Sequence, residues 1–133
     1  MVSAAGAGIG PARRALGEAA SLARSGDTVT IVGVPEVLPA VGRAATMLVP
    51  EEHEERQREL AEATAILKER GIEAEAVERR GEAATMILDE AEKEGADLIV
   101  VGTRGLNSAK RWLLGSVSTK VLHHAPCNVL VVR

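Results

Sequence analysis

Apolar residues along this chain recur with two alternating periods. Stretches of consecutive or alternating apolar, β-branched residues are followed by stretches in which apolar residues return every three to four positions. The first signals strands and the second signals amphipathic helices. Residues 28–34, Thr-Val-Thr-Ile-Val-Gly-Val, form the clearest β-branched run. Residues 98–101, Leu-Ile-Val-Val, are apolar without interruption, as in a strand of a parallel sheet covered on both faces. Residues 72–77 alternate apolar with Glu, which predicts a half-buried strand near a sheet edge. Residues 128–132, Asn-Val-Leu-Val-Val, predict the last strand. Residues 1–7 predict a short first strand, weakened by Ala and Gly.

Four helices fall between these strands. The first is expected over 11–24, opened by Pro11 and stopped before Gly26, with Ala15, Leu16, Ala19 and Leu22 inward. The second is expected over 51–70. Its acidic start suits the helix dipole, and Glu52–Arg56 and Glu54–Arg58 are spaced as ion pairs on a solvated face. Leu60, Ala63, Ile66 and Leu67 form its apolar side. The third runs over 82–93 with Ala83, Met86, Ile87 and Ala91 inward, and the fourth over 116–124, ended by Pro126. Between the second strand and second helix, Pro35, Pro39, Gly42 and Pro50 punctuate a long, fairly apolar connection.

The order β-α-β-α-β-α-β-α-β predicts an α/β fold: a single doubly wound, Rossmann-like, five-stranded parallel sheet with helices on both faces. At 133 residues this is one domain, 1–133, large enough to bury a core without metal or disulfide. Ligands of such sheets sit at the carboxyl ends of the strands, at the point where strand order reverses.

Composition removes several function classes. A net charge of −3, one Trp and no Tyr or Phe leave neither a basic stripe nor stacking platforms for nucleic acid. Cys127 is the only cysteine, so no internal disulfide forms, and it reads as a packing residue ahead of an apolar strand. His53, His123 and His124 give no metal-ligand spacing; the last two end a helix, where a cation is favourable. No segment reads as a signal peptide or approaches the ~20 apolar residues of a membrane span, so a soluble cytoplasmic protein is expected. No Ser-His-Asp arrangement and no phosphate-loop lysine is present, so no catalytic residue is assigned.

One stretch carries chemistry. Gly102-Thr103-Arg104-Gly105 follows the buried strand, and nine residues later Gly115-Ser116 opens a helix. Glycines admit a ligand to the backbone, and a helix start offers unpaired N–H donors at a positive dipole end. Together these features suit a phosphate. The alternative is that the glycines only shape a tight turn. Arg104, Lys110 and Arg111 flank the stretch, either as phosphate partners or as solvated charges, and Trp112 reads as a packing residue.

The spacing Gly-x2-Gly-x9-Gly-Ser resembles the ATP-binding branch of the universal stress protein family. The resemblance covers nearly the whole chain and is strongest over 94–133, including Leu-Leu-Gly-Ser-Val-Ser and His-Ala-Pro-Cys-Asn-Val-Leu-Val-Val-Arg. It implies binding of ATP (with Mg2+), AMP or ADP and a role in stress-response signalling through an unknown protein partner. It also implies a homodimer built on the last strand, where Val129, Leu130, Val131 and Val132 offer an apolar edge. Carried over by position, Val34 would contact adenine and Val101 would line the same pocket. Gly102, Thr103, Arg104 and Gly105 would lie against ribose and phosphates. Gly115 with the N–H groups of Ser116 and Val117 would hold the phosphate chain, and the hydroxyls of Ser116 and Ser118 would add hydrogen bonds.

The chain departs from the family at its N-terminus. The family's Asp-Gly-Ser after the first strand corresponds here to Ala7-Gly8-Ile9. Losing one charge-assisted hydrogen bond costs on the order of 1.5–3 kcal/mol, about one to two decades of affinity. The run Gly6-x-Gly8-x-Gly10 is not the dinucleotide fingerprint, whose third glycine falls one residue later. Two further readings follow: a degenerate, non-nucleotide interaction module whose dimer surface does the work, and a slow ATP hydrolase acting through positioning alone.

Overall fold

A computed structural model describes residues 2–5, 9–34, 50–102 and 115–133. The strands are β1 (Val2–Ala5), β2 (Thr28–Gly33), β3 (Glu73–Glu78), β4 (Leu98–Gly102) and β5 (Asn128–Val132). The helices are α1 (Ile9–Leu22), α2 (Pro50–Glu69), α3 (Ala83–Glu94) and α4 (Ser116–His124). The sheet runs β3-β2-β1-β4-β5, and every neighbouring pair is parallel. Strand order therefore reverses between β1 and β4, which places the crevice of the doubly wound fold at their carboxyl ends.

Alternation along the strands decides which helix covers which face. In β2, Val29 and Ile31 meet Leu16 and Ala20 of α1 and Leu60 and Leu67 of α2. Val32 and the following Val34 point the other way, joining Ile99 and Val101 of β4 against Ala84, Ile87 and Ala91 of α3 and Val121 of α4. Val100 turns back to Ala15 and Ala19 of α1. Thus α1 and α2 cover one face, and α3 and α4 the other. β4 is buried on both sides, with Ile99 and Val100 fully inaccessible, as its unbroken apolar run predicted.

β1 is the departure from propensity. Its Ala- and Ser-bearing sequence is a poor strand former, yet it lies at the centre, paired with β2 from Val2↔Thr30 to Ala5↔Gly33 and with β4 from Val2↔Ile99. Hydrogen bonding along both edges overrides side-chain preference there. β3 takes an edge, as its alternating glutamates predicted, starting one residue later than expected.

α1 begins two residues before Pro11, which sits in the first turn where no N–H is needed. Its inward face corrects one expectation. Ala15, Leu16 and Ala19 are buried, but Leu22 is 47% exposed, and Ala20 and Ala23 complete the stripe. At 100° per residue Leu22 falls about 90° from the centre of the 15-16-19-20 arc, on its rim. α3 ends at Gly95, whose φ of 61° is left-handed; its N–H reaches the carbonyls of Ala91 and Glu92.

Candidate functional site

β4 ends at Gly102, in register with Val132 of β5, and α4 starts at Ser116. The described chain thus places the carboxyl end of β4 and the amino end of α4 on either side of the 103–114 stretch. Thr103, Arg104, Gly105, Lys110, Arg111 and Trp112 lie outside the described residues, as do Gly6, Ala7, Gly8 and the connection 35–49.

Gly115 occupies the N-cap position of α4 with φ −63° and ψ 159°, an extended conformation open to any residue. A methyl group built on it would meet, among the described residues, only Ser118 Oγ, at an ordinary 3.6 Å. Local backbone geometry therefore does not require glycine here. What its missing side chain does provide is that no Cβ of its own stands before the first turn of α4. Among the described residues no side-chain cap bond is made at Gly115, and no acidic residue occupies the first turn. Ser116 is exposed at its start, and Val117 packs partly against the core.

Ser118 differs from its expected role. Its hydroxyl is 2% exposed and donates to the Gly115 carbonyl at 3.0 Å, beside the main-chain bond from Thr119 N to the same oxygen at 3.0 Å. The proton expected for a phosphate is committed to the turn itself. The side chains of Val34 and Val101 are 3% and 2% exposed and belong to one core cluster. The structure brings them together, but inside the core, so a ligand at the sheet's end would meet their main chain.

Charges around the site are largely paired. Lys120, one turn into α4, reaches across to Glu82 ahead of α3 at 2.7 and 2.8 Å and to Thr85 at 3.2 Å. The Lys120 hydrogen bond, then that of Thr85, holds the Glu82 carboxyl below the usual carboxylate range. At the end of β3, Gln57 donates to Glu78 at 2.8 Å and His53 Nδ1 lies 3.3 Å from it, which ties the start of α2 to the sheet edge. Cys127 packs partly against the core, as expected; burial, followed by the Asp97 carboxylate, pushes its thiol up. Among the described residues no group of three His, Cys, Asp or Glu side chains forms a metal site, and no helix is long and apolar enough to cross a membrane.

Two charged residues lie deeper than their type suggests. Arg56 was expected on a solvated face, but its side chain is 14% exposed and its stem lies over Gly33 of β2. Its Nε is buried and has no hydrogen-bond partner among the described residues. The signal was the neighbouring glycine, which leaves room for a long aliphatic stem. Glu90 is the second: it is 3% exposed in α3 and accepts from Arg79 Nε at 2.8 Å. Its signal was position: residue 90 falls three after Ile87 and one before Ala91, on the inward stripe.

Comparison with known proteins agrees with this architecture. The universal stress protein family model matches residues 6–133. The universal stress protein YxiE of Bacillus subtilis is 48% identical over 65 residues, 49% of this chain and 44% of that protein. The aligned part thus spans under half the length of that curated relative. Among solved structures, a universal stress protein from Archaeoglobus fulgidus shares 30% identity and a TM-score of 0.79, covering 99% of this chain and 96% of that one. The Archaeoglobus fulgidus universal stress protein in complex with dAMP shares 30% identity and a TM-score of 0.75, over 99% and 95% of the two chains. With the parallel sheet, the Gly102–Gly105–Gly115 spacing and a family match across nearly all its residues, this chain belongs to the universal stress protein family.

Proposed function

We propose that this chain binds an adenine nucleotide, ATP with Mg2+ or AMP or ADP, where β4 ends and α4 begins, and signals the bound state in a stress response. Gly115, Ser116 and Val117 hold the phosphates by main-chain N–H groups. Gly102, Thr103, Arg104 and Gly105 lie along the ribose and phosphates, Val34 and Val101 present main chain to the base, and Ser118 holds the turn. The carrying observation is Gly115: an unstrained N-cap that, among the described residues, has room for a side chain and no side-chain cap bond at the helix turn it opens. The dAMP complex of the Archaeoglobus fulgidus relative supports the same ligand class.

Each N–H bond to a charged phosphate contributes on the order of 1.5–3 kcal/mol. Three or four of them at the upper value, less an association cost of at least about 4 kcal/mol, leave about 5–8 kcal/mol, which corresponds to affinities from about 0.2 mM to about micromolar at best. Mg2+ would arrive on the triphosphate. The chain works as one domain, in the cytoplasm, and as a homodimer through β5, an edge strand whose Val129–Val132 are half-buried.

The test is a titration of ATP and of AMP followed by fluorescence of Trp112, the only tryptophan. Saturable change in the parent chain, abolished in Gly115→Val while the melting temperature moves by a few degrees at most, supports the reading. No change up to ~10 mM nucleotide, with no thermal stabilisation, refutes it.

A second reading, an interaction module without nucleotide, is favoured by Ala7 standing where the family carries Asp. It predicts a dimer unaffected by nucleotide. A slow hydrolase ranks below both, and would show phosphate release that disappears in Gly115→Val.

A further inference from the structure

Glu90 is the one fully buried charged residue among the described residues, 3% exposed on the inward stripe of α3. Its Oε2 accepts from Arg79 Nε at 2.8 Å, and Lys93 Nζ lies 3.5 Å from Oε1. An apolar residue at such a position often stabilises a core as well as a buried carboxylate does, because Glu90 loses its water while Arg79 keeps part of its own. What the pair supplies is a fixed geometry.

That geometry bears on the end of β2. Arg79 follows β3 directly, and its main-chain N–H donates to the Gly33 carbonyl at 2.9 Å, one step beyond the Gly33↔Glu78 register. Arg79 Nη1 also turns back to the Glu78 carbonyl at 3.3 Å. The Gly33 carbonyl belongs to the peptide that leads into Val34. Since that peptide is planar and trans, holding its oxygen fixes the direction of the Val34 N–H. From the opposite face of the sheet the same glycine is crowded by α2: a Cβ would sit 3.2 and 3.3 Å from the Leu60 methyls and 3.5 Å from Arg56 Cδ. Gly33 is thus gripped between α2 and, through Arg79 and Glu90, α3.

We propose that Arg79 and Glu90 are a positioning pair for base selection: they set the main chain at Val34, against which the purine of the bound nucleotide lies. The proposal rests on the nucleotide reading above and adds to it the residues that make the site prefer adenine to guanine. Neither side chain needs to touch the ligand. Their effect is on the direction of hydrogen-bonding groups, and selection between purines depends on that direction because adenine and guanine present opposite donors and acceptors at the same ring edge.

The experiment compares ATP and GTP affinities in the parent chain, Glu90→Gln, Arg79→Met and, as a control, Glu82→Gln, which weakens the ion pair between the start of α3 and Lys120 of α4 and leaves Glu90 and Arg79 in place. The first two variants are expected to lower the ATP-to-GTP preference about tenfold, and the control to retain it. Amide exchange in ligand-free protein supplies a second readout: the Val34 N–H speeds up in Glu90→Gln while that of Val32 does not. An unchanged ATP-to-GTP ratio in a folded Glu90→Gln, with an unchanged Val34 exchange rate, overturns the role of the pair alone. A parent chain that binds neither nucleotide overturns the pair's role in base selection together with the reading beneath it.

Discussion

The Ser118 hydroxyl donates to the Gly115 carbonyl across the first turn of α4 at 3.0 Å, from a residue that is itself buried. The bond closes the turn that presents the N–H groups of residues 116 and 117. Ser118→Ala removes one hydrogen bond worth about 1 kcal/mol, and leaves no orphan acceptor because Thr119 N still reaches the same carbonyl. A drop of a few degrees in melting temperature is expected, with a weakening of nucleotide binding smaller than that of Gly115→Val. Equal losses in the two variants would show that the hydroxyl contacts ligand directly.

Gly33 is a glycine for lack of space. Leu60, 6% exposed, has little freedom to retreat from a new methyl group at 3.2 Å. Overpacking of this kind costs about 1–3 kcal/mol, offset in part by the ~0.5–1 kcal/mol that alanine gains over glycine in a strand. Gly33→Ala is therefore expected to destabilise by about 1 kcal/mol in denaturant unfolding. Combined with Leu60→Val, which makes room, the total should fall below the sum of the two single changes. Strict additivity would mean that the contact is not the cause.

The Glu82 carboxyl has its folded-state pKa lowered, chiefly by Lys120. Its contribution to stability is present above the ordinary glutamate range and is lost as pH falls through the lower folded value. Both partners are substantially exposed, so the effect is small and screened by salt. In Lys120→Met the side-chain carboxyl of Glu82, followed by NMR, should titrate higher than in the parent, the smaller lowering by the Thr85 hydrogen bond remaining. An identical titration in parent and variant would contradict the assignment.

Cys127 holds its proton to higher pH than an unfolded-chain thiol, through burial first and the Asp97 carboxylate second. Stability therefore declines as pH rises from the ordinary thiol value through the raised native one. Alkylation by iodoacetamide should be slow at neutral pH and inflect above the ~8.5 of a free thiol. Inflection at or below that value would count against the burial argument.

The parts of this molecule visible in its sequence are those in which local pattern and tertiary role agree. β4 was legible because a strand covered on both faces must be apolar throughout, and α4 because Gly115 and Pro126 bracket it. β1 was only faintly legible: its central place comes from pairing with two neighbours, which its own side chains do not announce. The glycine spacing on which the proposed phosphate site rests was visible as Gly102, Gly105 and Gly115. The support around it was hidden, because Arg56, Arg79 and Glu90 look like surface charges until the fold lays them against β2 and α3. Ser118 shows the reverse case, a residue whose type suits a ligand contact but whose hydroxyl is bound within its own turn.

The most direct measurement is the change in backbone amide NMR shifts on adding AMP to the isotopically labelled chain. The account predicts saturable shifts concentrated at Val34, Val101, Gly102 and the 115–118 turn, with the exposed face of α2 unmoved. Shifts that are absent at ~10 mM AMP, or that saturate elsewhere while the 115–118 turn stays still, would contradict it.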